Sequence, residues 1–374
     1  MKVPCSIIRG GTSKGIVVRT ADLPDDAAAR DRVILGIFGS PDRRQIDGLG
    51  GADTLTSKLA LVAPPSRDDA DIDYTYGQVL IDAPHVDYTG NCGNITAAVA
   101  AFAVDEGYAT DAAPTEIRVR IHCTNSGRIV TAGVPLAGDG RRAEAGDLEI
   151  AGVPGTGAPI LLDWADTAGA GTGSVLPMGP SATVPGFADI RFSVVDVGNP
   201  MLFVDRADFG VEPSAGPDEI DPDADLVERL IKFRHAAVEA LGYRDPAGAI
   251  SDSIPLLTLV GAPADYRHYG SGETVAAESM DVWMRSLFLG RVHKAFGVAE
   301  AASAAAAVVI PGTVAHELAR PGALERGVVR IGHPSGVMDV EIEASDAGDA
   351  PVITRVATQR TARRIMDGDV WVAT

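Results

Sequence analysis

Apolar positions along this chain fall in short strand-like runs broken by clusters of glycine. Residues 1–20 read as a strand interrupted by the turn-rich RGGTSKG (9–15), after which Ile16, Val17 and Val18 resume the apolar run. A second cluster, IDGLGGADTLTSK (46–58), leads into LALVAPP, and a third, TGNCGN (89–94), precedes ITAAVAAFAVDEGYA. That last stretch is alanine-rich, lacks proline and stops at Gly107, which predicts a helix buried on most of its surface, with Cys92 just before its first turn. Residues 115–135 alternate as strands do, whereas 136–185 are dominated by glycine, proline, alanine and aspartate, and a domain boundary is expected near 185. The second half opens with FSVVDVGNPMLFV, two strand-like runs broken at 198–200. It continues to a long helical candidate at 279–298 and a second alanine-rich run at 300–309. Both halves thus pass from glycine-broken strands to an alanine-rich helix, a weak internal repeat.

At 374 residues the chain exceeds what one hydrophobic core usually organises, so two domains are expected, 1–185 and 186–374, with a return of the last strand to the first domain allowed for. A composition of 46% hydrophobic and 22% charged residues argues against disorder. The formal net charge of -19 opposes nonspecific attraction to nucleic acid and to anionic membranes, so neither is expected as a partner. The opening MKVPCSIIRGG has no apolar signal core, and no run of about eighteen apolar residues occurs, so a cytoplasmic location is expected. Three cysteines, Cys5, Cys92 and Cys123, form neither a disulfide framework nor a zinc pattern.

Cys92 in GNCGN is the sharpest chemical feature, because backbone N–H groups and the dipole at a helix entrance favour a thiolate. The flanking Gly93 lets an anion approach the backbone, while Asn91 and Asn94 offer amide donors. Lys58, directly before LALV, becomes a usable base if its strand is central and desolvates it, although a lysine at a strand edge is ordinarily solvated. Arg9, Thr12, Ser13 and Lys14 in RGGTSKG, with Gly50, Gly51 and Ser57 in the second cluster, are candidate carboxylate contacts. RGGTSKG lacks the four-residue spacer of a P-loop, and GLGGAD fails as a dinucleotide fingerprint. In the second half, Asn199 in GNP and His333, Pro334, Ser335 and Gly336 in GHPSG present further polar groups. His293 and Lys294 fall within the helical candidate and carry little weight as histidine and lysine on a helix.

Taken in order, RGGTSKG, IDGLGGADTLTSK, GNCGN, TGSVLPMG, DVGNP, HKAF, IPGT and GHPSG resemble the family of 2-methylaconitate cis-trans isomerase, which includes methylitaconate delta-isomerase and 4-oxalomesaconate tautomerase. The resemblance spans residues 9–336 and implies an α+β fold of the diaminopimelate epimerase-like type: two pseudo-symmetric lobes, each a mixed sheet wrapped around a central helix. It also implies Lys58 and Cys92 as the catalytic pair, with no organic cofactor and no metal; Arg9, Thr12, Ser13, Lys14, Gly50, Gly51, Ser57, Asn91, Gly93, Asn94, Asn199, Lys294, His333, Pro334, Ser335 and Gly336 are the expected substrate contacts. The expected activity is a proton and double-bond shift in an unsaturated di- or tricarboxylate. The sequence leaves the oligomeric state open, a homodimer among the alternatives. Related epimerases and racemases place a second cysteine at the start of the second central helix, where this chain has VAEAASAAAA around Ser303. That departure weighs against the alternative of amino-acid racemisation, and intact Lys58 and Cys92 weigh against a non-catalytic carboxylate-binding protein.

Overall fold

The computed structural model describes residues 1–109, 111–244, 248–251, 254–345 and 352–373. Contacts divide the chain into two units, 1–162 with 359–374, and 163–358. The boundary expected near 185 is therefore corrected to 162/163. The glycine- and proline-rich stretch after 162 packs on the second unit, where Gly169 N–H donates to the Asp196 carbonyl, Asp196 N–H to Val175 and Ser193 Oγ to Pro180. Loop composition shows that the chain is irregular there; it does not show which body the loop lies on.

In the first unit, β1 (Lys2–Gly10) turns into β2 (Ser13–Arg19), α1 (Ala27–Phe38) crosses over, and β3 (Lys58–Ala63) lies parallel to β2. β4 (Ile72–Val79) runs antiparallel to β3, α2 (Gly93–Asp105) follows, β5 (Glu116–Cys123) lies parallel to β4, and β6 (Arg128–Pro135) pairs antiparallel with β5. The last strand, Ala362–Trp371, pairs antiparallel with β1. Gly93 to Ala103 of α2 are all buried, as befits a helix that is apolar around its whole circumference.

The second unit repeats this order. β7 (Phe187–Val197) turns into β8 (Asn199–Asp205), α3 (Ala224–Leu241) crosses over, and β9 (Leu256–Gly261) lies parallel to β8. β10 (Val282–Phe288) is antiparallel to β9, α4 (Val298–Val309) follows fully buried, β11 (Val328–His333) is parallel to β10, and β12 (Gly336–Ser345) closes antiparallel to β11. The correspondence reaches single side chains. Arg120 of β5 bonds Asp71, just before β4, through its N–H and guanidinium, and Arg330 of β11 bonds Asp281, just before β10, in the same way. A Cβ on Gly10 would stand 1.9 Å from the Asn94 carbonyl oxygen of α2, and one on Gly198 would stand 2.4 Å from that of Ala299 in α4. Each hairpin thus presses bare backbone onto its central helix, where a side chain does not fit.

The helix expected at 279–298 is a strand instead. β10 is buried on both faces between β9 and β11, and such a strand reads as a continuous apolar run that periodicity cannot separate from a buried helix. Leu289 and Gly290, at φ 51° and 73°, turn the chain into the short strand Arg291–Val292, so His293 and Lys294 lie beyond a hairpin and before α4.

Candidate active site

Lys58 opens β3 between two hydrogen-bonded neighbours, opposite Gly15 of β2 and Gln78 of β4, and is 6% exposed. Its Nζ donates to Tyr76 Oη at 2.9 Å and Gln78 Oε1 at 2.8 Å, and lies 5.2 Å from the centre of the Tyr76 ring. Tyr76 Oη donates to the same Gln78 oxygen at 2.6 Å, while Gln78 Nε2 donates to the Ser57 carbonyl at 3.0 Å. β3 is therefore a central strand and not an edge. Tyr76 and Gln78, four and six residues after Ile72 in an ordinary-looking strand, give no signal of their own; the register of β3 against β4 brings them to Lys58.

Ser57 is fully buried, accepts from Gln45 Nε2 and donates to the Val79 carbonyl, both at 2.8 Å, so it braces the strand entry. Gly50 and Gly51 serve the same loop, since a Cβ would meet Gln45 at 2.3 Å and Thr56 Oγ1 at 2.2 Å respectively. Gln45 in turn accepts from Ala52 N–H.

Cys92 is the N-cap of α2, in extended conformation and half-buried, with its carbonyl accepting from Thr96 N–H at 2.8 Å. The first-turn N–H groups of Gly93 and Asn94 have no acceptor within the helix, and the helix dipole is positive there. Gly15 ties the two candidates together. A Cβ there would stand 2.7 Å from Ile95 Cδ1 in the first turn of α2 and 3.4 Å from the Lys58 carbonyl. Asn91 is buried beside Cys92.

Asn94 takes a different role from the direct donor expected of it. Both amide hydrogens are engaged, by Thr12 Oγ1 at 3.0 Å and Ser13 Oγ at 3.3 Å, and its Oδ1 accepts from Thr12 N–H at 3.3 Å. Arg9 likewise works as a clamp, donating to the Thr361 carbonyl at 2.6 Å and hydroxyl at 2.7 Å, which fixes the entry to the last strand. Lys14 is half-buried on β2, its backbone N–H bonded to Leu55. Arg360, which no motif flagged, is 4% exposed and donates from Nε to Asn94 Oδ1 at 3.3 Å. Burial pushes its guanidinium down to about 10, and the charge of Cys92 pulls the other way.

The remaining candidates gather in the second unit. His333 Nδ1 accepts from Ser335 N–H at 3.2 Å, which puts the proton of a neutral ring on Nε2, and Ser335 Oγ donates to the Lys294 carbonyl at 2.5 Å. Gly336, at φ 121°, and Pro334, whose carbonyl accepts from Tyr269 N–H, complete the turn, and the Tyr266 hydroxyl bridges the His333 and Gly336 carbonyls at 2.7 and 2.6 Å. Lys294 Nζ lies 6.0 Å from the Tyr269 ring centre. Asn199 is buried and donates to Glu300 Oε1 at 3.1 Å.

The internal repeat identifies what the second unit has in place of the pair. Cys92 and Gly297 are the N-caps of the two central helices, and Lys58 corresponds to Leu256, each being the first paired residue of its strand. A Cβ on Gly297 would meet Glu300 Oε2 at 1.9 Å, so the position of a second thiol is filled by a carboxylate folded back over the helix entrance. Ser303, where the sequence had placed that position, lies deeper in α4, accepting from Val197 N–H at 2.8 Å and facing the carbonyls of Val195, Val197 and Asn199.

Two repeated units, each a mixed sheet curved around an alanine-rich helix, with one lysine and one N-cap cysteine in the first, define an isomerase of the diaminopimelate epimerase-like fold class. The chain belongs to the PrpF family, whose model, described as PrpF protein, matches residues 1–373. It is similar to the 3-methylitaconate isomerase of Eubacterium barkeri, at 44% identity over 100% of this chain and 97% of the relative. It is similar also to the (4E)-oxalomesaconate Delta-isomerase of Novosphingobium sp. (strain KA1), at 40% identity over 99% and 97%. Among solved structures, a methylitaconate-delta-isomerase superposes with a TM-score of 0.80 at 42% identity, covering 100% of this chain and 96% of that one.

Proposed function

We propose that this protein is a cofactor-independent isomerase that shifts a proton and a double bond in an unsaturated di- or tricarboxylate, with Lys58 and Cys92 as the proton-transfer pair. One of the two removes an acidic C–H proton beside a carboxylate or ketone, giving an enolate-like anion, and a proton returns at another carbon of the allylic system. The N–H groups of Gly93 and Asn94 and the positive end of α2 lower the energy of that anion.

The observation that carries this reading is the broken repeat. The first unit holds lysine and thiol, whereas the matching positions of the second are Leu256 and Gly297, the latter capped by Glu300. Racemisation through two equivalent thiols on opposite faces of one carbon has no second thiol to use. The relatives act, by name, on methylitaconate and oxalomesaconate, and substrates of that chemistry, with 2-methylaconitate and aconitate, form the test panel.

The experiment is incubation in deuterated water with each acid, following deuterium incorporation and double-bond position by proton NMR, with Cys92→Ser and Lys58→Ala alongside. Exchange by wild type that both variants lose is the expected result. An absence of exchange with every acid, or exchange that survives in both variants, refutes the reading.

A further inference from the structure

Arg360 ends the strand Val352–Arg360 and reaches the first turn of α2 although it lies far away in sequence. Its Nε–H and the Thr12 N–H converge on Asn94 Oδ1, each at 3.3 Å. Two N–H donors at one atom fix the amide, because the reversed orientation would point the Asn94 NH2 at both. The hydrogens of Nδ2 must then face Thr12 Oγ1 and Ser13 Oγ, at 3.0 and 3.3 Å. A hydroxyl that accepts from an amide keeps its own hydrogen for another acceptor. Among the described residues, no protein acceptor takes the hydrogen of either hydroxyl, although Ser13 is 1% exposed. Two oriented O–H donors thus remain beside the helix entrance that Cys92 caps, with a buried cation behind them.

We propose that Arg360 is a positioning residue which, through Asn94, turns the Thr12 and Ser13 hydroxyls into donors for one carboxylate of the bound acid. The inference rests on the proposed polycarboxylate activity, and it separates binding from chemistry. Arg360 and Asn94 set where the anion sits; Lys58 and Cys92 move the proton. No covalent step involves the arginine.

The test compares wild type with Arg360→Gln, Arg360→Lys, Ser13→Ala and the Arg360→Gln/Ser13→Ala double variant. Calorimetry measures binding of tricarballylate, a saturated tricarboxylate that cannot isomerise, and NMR measures turnover of 3-methylitaconate. Arg360→Gln is expected to weaken tricarballylate binding and raise KM by about tenfold, the scale of a lost charge-assisted bond, while kcat stays within about threefold. Arg360→Lys restores part of the affinity. Ser13→Ala in the Arg360→Gln background adds less than Ser13→Ala alone, as coupled groups require. Wild-type affinity in Arg360→Gln, additive losses in the double variant, or a fall in kcat at unchanged KM overturns the proposal. If Arg360→Gln fails to fold, Thr12→Val and Ser13→Ala decide, since undiminished tricarballylate binding by both overturns it equally. Wild type that binds tricarballylate but isomerises nothing refutes the proposed activity and leaves the positioning role standing; wild type that does not bind it refutes the positioning role.

Discussion

Tyr76→Phe isolates what holds the buried lysine. The substitution keeps the ring 5.2 Å from Lys58 Nζ and deletes Oη, which accepts from Nζ at 2.9 Å and donates to Gln78 Oε1 at 2.6 Å. Gln78 Oε1 continues to accept from Nζ at 2.8 Å, and its orientation survives because Nε2 remains tied to the Ser57 carbonyl. The lysine therefore loses one acceptor and gains freedom to swing. A hydrogen bond to a charged group contributes about 1.5–3 kcal/mol, and part of that falls on folding and part on the transition state. If about half falls on the transition state, at 1.4 kcal/mol per decade, kcat/KM drops by roughly three- to tenfold.

The assay is deuterium incorporation into substrate by NMR, run beside thermal melts of the same samples, because the two readouts separate fold from chemistry. A fall in rate with a melting point lowered by only a few degrees is the expected outcome. An unchanged kcat/KM at a lowered melting point would mean that the Tyr76 bond serves the fold alone, and that Lys58 does its work unassisted. Gln78→Leu removes the other acceptor and is expected to cost more, since it also frees Tyr76 Oη.

Three further outcomes follow from the same structure. Cys123 is pushed up to about 12 by burial, and Cys5 is raised by burial and then by Asp369 and Asp367, whereas Cys92 is half-buried, so native protein should react with iodoacetamide at Cys92 alone and at all three cysteines once unfolded. Burial pushes the Asp281 carboxyl up, but bonds and charge from Arg330 and the charge of Arg326 outweigh it and hold it below 3.8, so its stabilising effect is present above that value and lost as pH falls through the depressed one. Asp281→Asn should thus lower urea stability at pH 7, by an amount that shrinks as the pH falls below about 4. Gly198→Ala forces a Cβ to within 2.4 Å of the Ala299 carbonyl at φ 82° and should cost about 2 kcal/mol or more in urea unfolding. Gly140→Ala, at φ 81° with nothing within 4 Å, carries the backbone strain alone and should cost about 1 kcal/mol.

Glycine punctuation carried most of what the sequence could tell. The breaks at Gly10 and Gly198 are legible because no other residue fits against the central helices, and Cys92 is legible because GNCGN stands directly before an alanine-rich helix. α1 and α3 carry end signals, Asp26 with Gly39 and Asp223 with Gly242, but apolar runs mark buried helices far more strongly than half-exposed ones. β10 reads as a helix from the sequence because burial on both faces erases the alternation that marks a strand. Tyr76, Gln78 and Arg360 were out of reach for another reason: strand register and a long return of the chain create their contacts, and local spacing encodes neither.

The unequal repeat also accords with the proposed chemistry, which uses residues of the first unit alone. The Asp71–Arg120 and Asp281–Arg330 pairs and the two glycine hairpins retain the same geometry in both units, so the demands of the fold act on both alike. The reactive positions have diverged. Where the first unit has a thiol at the helix entrance, the second has Gly297, and Glu300 places a carboxylate against the same positive helix end. A carboxylate there satisfies the electrostatics that in the first unit favour an anion, so the second helix keeps its stability without a nucleophile. Removing Glu300 should therefore tax the fold more than the replacement of a surface glutamate, whereas removing Cys92 should tax catalysis and leave the fold nearly untouched.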